Sequence, residues 1–203
     1  MARTDRRPRR RLDPDSRRAA ILEAAAAAFA AHPYAEVTIS SIAAEAYSSN
    51  ALVYRYFANK EDLYAEVVRV AIADLLTRQA EALDALPDGV PVRDRIRAAT
   101  MVYLDHIATH PDAWAMPMRR PGGEPAAVAE LRARTRCDYV KCLQGLLAPS
   151  TQARHDYALW GYFGFTDAAA LRWVDKGCPE EDRWALIDAA LGALEGALGD
   201  WAA

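Results

Sequence analysis

The sequence predicts an all-α protein, and three observations support this fold class. Alanine is abundant, runs of β-branched residues are rare, and apolar residues recur at spacings of three and four along most of the chain. The 203 residues are 52% hydrophobic and 26% charged, which is typical of a globular protein with a core. No stretch approaches the roughly 18 consecutive apolar residues that a membrane-spanning helix needs. No apolar signal segment follows the N-terminal arginines, so we expect a cytoplasmic protein.

Four helices are expected in the first half of the chain, over residues 17–31, 39–46, 50–57 and 60–86. Each begins after a side chain that can cap a helix N-terminus, in order Ser16, Thr38, Ser49 and Asn59. Pro33 and the Pro-Asp-Gly run at 87–89 stop the first and the fourth helix.

Four further helices are expected over residues 92–110, 124–147, 151–175 and 180–202. Residues 111–125 contain four prolines and a Gly-Gly pair, which predicts a loop or a broken helix. The last helix carries an apolar seam at alternating spacings of four and three, with a stripe of glycines beside it. Glycine inside a helix costs about 1 kcal/mol relative to alanine, so close approach of another helix is one interpretation of the stripe and fraying the other.

The two short helices are separated by only three residues, Tyr47, Ser48 and Ser49, which is the spacing of a helix-turn-helix. Val53 and Phe57 are expected to face inward, and the polar and aromatic side chains of the second short helix outward. Hydroxyls and cations suit phosphates, and amides suit base edges.

The charge distribution favours the same function. Residues 1–60 carry 10 Lys and Arg against 6 Asp and Glu, whereas residues 61–203 carry 15 against 22. Eight arginines lie within the first 18 residues, and such an arm can follow the phosphate backbone or enter a minor groove. The front of the chain is therefore expected to meet a polyanion, and the acidic remainder disfavours nucleic acid and a highly anionic ligand.

Three stretches resemble the DNA-binding signature of the tetracycline-repressor (TetR) family of bacterial transcription factors. They are residues 38–46, Ser49, and residues 53–63, which read Val-Tyr-Arg-Tyr-Phe-Ala-Asn-Lys-Glu-Asp-Leu. The resemblance covers about residues 16–68. It implies phosphate contacts from Ser40, Ser49, Tyr54, Tyr56 and Lys60. It also implies that Asn50, Ala51, Leu52 and Arg55 face bases or groove walls.

The turn departs from the family pattern. The family usually has glycine and then an aliphatic residue where this chain has Tyr47 and Ser48, and often glycine where it has Ala51. A tyrosine with positive φ costs on the order of 1 kcal/mol or more, so either the turn differs or the strain is tolerated.

The resemblance implies three parts: a disordered basic arm over 1–15, a helix-turn-helix domain over 16–60, and a helical effector-binding and dimerisation domain over 61–203. Aromatic and methionine side chains after residue 100 are expected either in an ordinary core or around an apolar or aromatic effector. The effector candidates are Tyr103, Trp114, Met116, Met118, Tyr139, Trp160 and Phe163. The dimer-interface candidates are Phe165, Ile187, Leu191, Leu194 and Leu198, with Trp201 continuing the seam.

The function expected from these features is a ligand-responsive repressor, released as a homodimer from a palindromic operator with half-sites about 34 Å apart or somewhat further. A helical carrier or enzyme using the same cavity is the alternative, and a ligand-free architectural DNA binder is a third.

Other chemistry finds less support. His106 and His110 could place two imidazoles on a metal, but the third ligand is missing. His155 and Asp156 near Ser150 lack the context of a hydrolase. The three cysteines are expected to be reduced, and Cys137 and Cys142 to be buried, inert thiols rather than a redox pair. We expect no metal, no cofactor and no enzymatic activity.

Overall fold

The structure is a computed structural model that describes residues 13–147 and 150–199. Over these residues it contains nine α-helices and no strand, which confirms the all-α class and adds one helix to the eight expected. Their bounds are α1 Pro14–Ala31, α2 Ile39–Glu45, α3 Asn50–Tyr56, α4 Lys60–Asp84, α5 Val92–Thr109, α6 Pro111–Arg119, α7 Ala126–Leu146, α8 Ala153–Asp175 and α9 Arg183–Leu198. A short 3-10 turn over Glu180–Asp182 precedes α9.

Helices α1, α2 and α3 and the start of α4 enclose one hydrophobic core. We call these helices the head. Ile21, Ile42, Val53 and Leu63 are fully buried in it. Leu63 belongs to α4, so the first two turns of α4 are part of the head. Pro14 and Asp15, expected in the arm, already belong to α1, which is capped by Asp13 rather than by Ser16.

A second core lies between α5, α7, α8 and α9. We call these four helices, together with α6, the body. Helix α9 packs on α8, and two contacts show that they run antiparallel. Arg154 in the first turn of α8 donates to the carbonyls of Gly196 and Ala197 near the end of α9. At the other end, the Arg183 guanidinium lies 5.6 Å from the Trp173 ring centroid.

Of the two alternatives expected for residues 111–125, the structure has the broken helix: helix α6 covers Pro111–Arg119, and no helix covers the residues from 120 to 125. Pro111 occupies the first helical position, where a missing N–H costs nothing because that group has no intrahelical acceptor. Pro117 lies inside the helix and removes one backbone hydrogen bond. Ala115 is fully buried, and α6 packs against both α1 and α8. This tertiary burial outweighs the local cost of proline.

The expected dimer seam needs a correction. Ile187, Leu191 and Leu194 have no exposed surface and pack inside the body, and Leu198 packs against the same core. The spacing predicted an apolar face correctly, but that face is covered by α5 and α8 of the same chain. Phe165 is 40% exposed and remains available, while Trp201 lies outside the described residues.

The cysteine expectation is also corrected, because Cys137 and Cys142 are exposed on α7. Within the part of the chain that the structure describes, no helix is both long and apolar enough to cross a lipid bilayer.

Three tyrosines of the body have hydrogen-bonded hydroxyls; Tyr162 is buried, and Tyr103 and Tyr139 are half-buried. Burial raises the pKa of Tyr139 to about 12. Burial also raises the pKa of Tyr162, whose hydroxyl lies 2.7 Å from Thr100 Oγ1. The pKa of Tyr103 lies well above its usual value because of burial and, secondly, the charge of Asp167.

These shifts predict a loss of stability at alkaline pH. The unfolded chain releases its phenolic protons near pH 10, whereas the folded chain keeps them, so the free energy of unfolding falls as pH rises from about 10 to about 12. Tyr139 alone contributes at most about 3 kcal/mol to this fall. Urea unfolding at stepped pH measures it, and Tyr139→Phe should flatten the decline. An equally steep decline in that variant would contradict the assignment.

Candidate nucleic-acid interface and effector pocket

Helix α3 presents a polar face because its opposite side is anchored in the head. Val53 is fully buried, and Phe57, which ends the helix, is 3% exposed. The Ser49 hydroxyl caps the helix by accepting from the backbone N–H of Leu52 at 3.2 Å. The exposed side chains of α3 are Asn50, Ala51, Tyr54 and Arg55. Leu52 and Tyr56 are half-buried at the edges of this face.

A side-chain hydrogen bond joins the two helices of the pair. Asn50 Nδ2 donates to Ser40 Oγ at 2.8 Å. Helix α2 has its own capping box, in which Thr38 Oγ1 accepts from the Ser41 backbone N–H at 3.0 Å. Ser40 and Asn50, both candidate DNA contacts, therefore lie side by side on the exposed surface.

The turn between α2 and α3 is a Schellman motif with tyrosine at the left-handed position. The Ser48 N–H donates to the Ala43 carbonyl at 2.8 Å, and the Tyr47 N–H donates to the Ala44 carbonyl at 3.1 Å. Tyr47 has a φ of 48°. The turn therefore keeps the geometry that glycine would favour, and the strain is tolerated. The Tyr47 side chain is 91% exposed, so no packing within the chain offsets this cost.

Lys60 holds the loop between α1 and α2 onto the start of α4. Its ammonium donates to the carbonyls of Tyr34 at 2.9 Å and Val37 at 3.0 Å. It also lies 4.1 Å from the centroid of the Tyr34 ring. Two of its three N–H donors are thus used within the head, and its predicted phosphate contact would have to use the third.

Arg18 has a similar internal role. It pairs with Glu66 of α4 at 2.6 Å, and its guanidinium lies 5.2 Å from the Phe57 ring centroid. The sequence placed Arg18 with the DNA-following arginines, but the structure uses it to join α1, α3 and α4. The six arginines at 3, 6, 7, 9, 10 and 11 lie outside the described residues.

Several predicted effector residues meet in a polar network inside the body. Trp114 Nε1 donates to Tyr103 Oη at 2.9 Å, and Tyr103 Oη donates to Asp167 Oδ1 at 2.8 Å. Arg136 pairs with the other oxygen of Asp167. Burial raises the pKa of Asp167, and the charge of Arg136 opposes that rise. The network fixes the orientation of the Trp114 indole.

Two more predicted effector residues pack beside this network. The ring centroids of Tyr139 and Phe163 are 6.0 Å apart, and Arg136 lies 5.1 Å from the Phe163 centroid. Trp160 makes no ring contact with them among the described residues and is 41% exposed on α8. The effector contact expected of Trp160 stays a prediction.

An open pocket of about 350 Å³ lies between α6 and the start of α7. Its walls include Trp114, Pro117, Met118, Glu124, Ala129 and Arg132. Trp114 and Met118 were predicted from the sequence, whereas Met116 is not among its lining residues. Glu124 and Arg132 were not predicted, because isolated charges on a helical surface carry no signal of their own.

A contact that the sequence did not indicate links this pocket to the head. Tyr64 Oη donates to Glu124 Oε2 at 3.2 Å, and Arg132 Nε donates to the same oxygen at 3.1 Å. The Tyr64 ring packs in the head, with its centroid 4.6 Å from that of Phe29 and 5.2 Å from that of Tyr34. One carboxylate therefore touches both the pocket and the head.

The histidine pair lies on α5 and its C-cap, with the His106 and His110 ring centroids 5.9 Å apart. Burial lowers the pKa of His106, and the nearby His110 adds to this effect. Over residues 13–147 and 150–199, no group of three or more His, Cys, Asp and Glu side chains is arranged to hold a metal ion.

Comparison with known proteins agrees with the helix-turn-helix assignment. Residues 21–67 match the model of a family described as bacterial regulatory proteins, tetR family. The chain is 38% identical over 101 residues to the HTH-type transcriptional repressor SCO4008 of Streptomyces coelicolor, and the match covers 49% of this chain and 47% of that protein. It is 32% identical over 97 residues to the HTH-type transcriptional activator FasR of Mycolicibacterium smegmatis, covering 48% and 43%. The chain thus spans just under half the length of these two relatives.

The similarity in fold extends over nearly the whole chain. The crystal structure of a TetR-like transcriptional regulator from Rhodococcus sp. RHA1 superposes with a TM-score of 0.75 at 24% identity. That match covers 94% of this chain and 100% of the other. It shows a common fold for head and body together.

The strained turn predicts a stabilising substitution. Tyr47→Gly should raise the free energy of unfolding by about 0.5–1 kcal/mol, because glycine adopts positive φ without the Cβ penalty and no packing is lost. Tyr47→Ala is the matched control, since it removes the same ring but keeps the penalty. Thermal unfolding of both variants measures the difference, and equal midpoints would contradict the assignment of strain.

Proposed function

We propose that the chain is a DNA-binding transcriptional repressor of the tetR family that a small molecule releases from its operator, since residues 21–67 match the model of that family. The observation that carries this proposal is the exposed face of α3, held rigidly on the head by the buried Val53 and the Ser49 cap. A rigid helix with exposed amide, hydroxyl and guanidinium groups has what major-groove recognition requires.

Within this proposal the exposed side chains divide into two roles. Arg55 and Asn50 read base edges, and Leu52 and Ala51 offer apolar contact to groove walls or a thymine methyl. The hydroxyls of Ser40, Ser49, Tyr54 and Tyr56, with the Lys60 ammonium, contact phosphates. The Asn50–Ser40 hydrogen bond supports this division, since it holds a base-reading and a phosphate-contacting side chain together.

We further propose that the protein acts as a homodimer through the outer face of α8 and α9. This face carries exposed aromatic side chains, namely Tyr157, Trp160, Phe165 and Trp184. Beside them lie Gly161, Gly164, Gly192 and Gly196, where an added Cβ would meet no atom of the described residues within 4 Å apart from its chain neighbours and the backbone of its own helix. The free-energy cost of glycine inside these helices, relative to alanine, is therefore not offset by packing among the described residues. Close approach of a second copy's helices would offset it.

Effector binding is assigned to the body. Trp114, Tyr103, Tyr139 and Phe163 lie together there, and Trp114 also borders the open pocket. A helical carrier that uses this pocket without binding DNA is the alternative function, and the DNA experiment separates the two.

DNA binding is tested by anisotropy on double-stranded fragments selected from a random library. We expect the affinity to fall steeply with salt, because binding phosphates releases counterions. Arg55→Ala should weaken binding by about 1–3 kcal/mol and relax sequence preference, since an arginine that reads a base is lost.

Arg134→Ala is the matched control, because Arg134 lies on α7 and is 67% exposed. It should leave both the affinity and the sequence preference unchanged. A selection that enriches no sequence, or equal affinities for Arg55→Ala and the parent protein, would favour the carrier.

The dimer is tested by sedimentation equilibrium. Trp184→Glu and Phe165→Glu should each shift the protein toward monomer, because a charge would be buried without a partner in the interface. Val70→Glu is the control, since Val70 is an equally exposed apolar side chain, 50% exposed, on α4. Dimers of unchanged stability in both interface variants would exclude this face.

A further inference from the structure

The pocket between α6 and α7 combines apolar walls with one arginine whose hydrogen-bonding capacity is only partly used. Trp114, Pro117, Met118 and Ala129 supply the apolar surface. The Nε–H of Arg132 donates a hydrogen bond to Glu124 Oε2. Over residues 13–147 and 150–199, its terminal nitrogens have no carboxylate or carbonyl acceptor; the guanidinium also lies beside the Tyr64 hydroxyl and opposes the rise in the pKa of Tyr64 that burial causes, and the Arg132 side chain is 36% exposed.

The free edge of this guanidinium has the geometry that a carboxylate matches. Two parallel N–H groups on a planar fork bind both oxygens of a carboxylate, and such bidentate pairs are stronger than neutral hydrogen bonds. Glu124 is less available to a ligand, because its side chain is 11% exposed and one of its oxygens already accepts from both Arg132 and Tyr64. The polar groups of the pocket therefore favour an anion over a cation.

The apolar walls limit the rest of the ligand. The volume of about 350 Å³ lies at the lower end of the range for small-molecule sites. The Trp114 indole is held in place by its hydrogen bond to Tyr103, so it offers a fixed flat surface, whereas Met118 is flexible and adapts to shape. A single flat or short apolar body fits these walls.

We propose that this pocket is the effector site and that it takes a small apolar monocarboxylate, with the carboxylate on the terminal nitrogens of Arg132 and the apolar body against Trp114 and Met118. The site deepens the proposed function, because the effector would act on DNA binding from here. A second carboxylate on the terminal nitrogens of Arg132 shares the guanidinium charge with Glu124 and repels the Glu124 carboxylate, which accepts the hydrogen bond from Tyr64 of the head. Binding would thus loosen the contact between body and head.

The site is tested by calorimetry without DNA, so its outcome does not depend on DNA binding. The probes are 2-naphthoate and decanoate, each compared with its neutral amide. We expect each acid to bind the parent protein at least about tenfold more tightly than its amide, because the amide lacks the charge that Arg132 pairs with.

Arg132→Gln should abolish this preference for the acid. Arg134→Gln is the control, since it changes the net charge equally on the same helix at a side chain 67% exposed. Arg132→Lys should retain part of the preference for the acid, because lysine keeps the positive charge. A retained preference would show that the loss in Arg132→Gln comes from the missing charge and not from a folding defect. Equal affinities for acid and amide, binding of neither acid at roughly millimolar concentration, or a preference that survives Arg132→Gln would overturn the proposal.

The link to the head is tested on a DNA fragment from the selection described above. 2-Naphthoate should weaken DNA binding of the parent protein, and the DNA should weaken 2-naphthoate binding by the same factor. Tyr64→Phe should keep the affinity for 2-naphthoate and reduce its effect on DNA binding, because the bond to Glu124 is lost. An undiminished effect in Tyr64→Phe would show that the coupling does not pass through Glu124.

Discussion

The rest of the structure depends on the first turns of α4, which belong to the head and lead into the body. Burial of Leu63 places this part of α4 in the head core, and the Lys60 ammonium fastens the α1–α2 loop to it through two carbonyls. Arg18 and Glu66 add a half-exposed ion pair at the same place. Farther along, α4 packs against α5, with Leu75 buried. The position of α3 relative to the body is therefore set by this continuous helix together with the packing of α1 on α6.

Much of the head could be predicted from the sequence, because its signals are local. Thr38, Ser49 and Asn59 each cap a helix as expected, and the burial of Val53 and Phe57 follows from helical spacing. A cap or a turn acts through residues three or four positions away, so it can be recognised without knowing the fold. Tyr47 shows the same point: the Schellman hydrogen bonds form even where glycine is absent.

The body was less predictable because its decisive contacts join residues far apart in the chain. Asp167 meets Arg136 and Tyr103, and Glu124 meets Tyr64, with no sequence signal to pair them. The seam of α9 showed that an apolar face exists but not which helix covers it, and Ile187 proved to be covered from within the chain. The sequence left a loop and a broken helix open for the α6 segment because proline lowers local helix propensity, whereas burial against α1 and α8 decides the outcome.

The sharing of α4 between head and body also has a consequence for cooperativity. Since Leu63 and the Lys60 contacts are needed to close the head core, the head cannot stay ordered while the start of α4 unravels. The apparent affinity of α3 for any partner is therefore reduced in proportion to the fraction of molecules in which the first turn of α4 is folded. Side chains such as Arg18 and Glu66, which lie apart from the exposed face of α3, therefore tune that affinity through the population of the competent state.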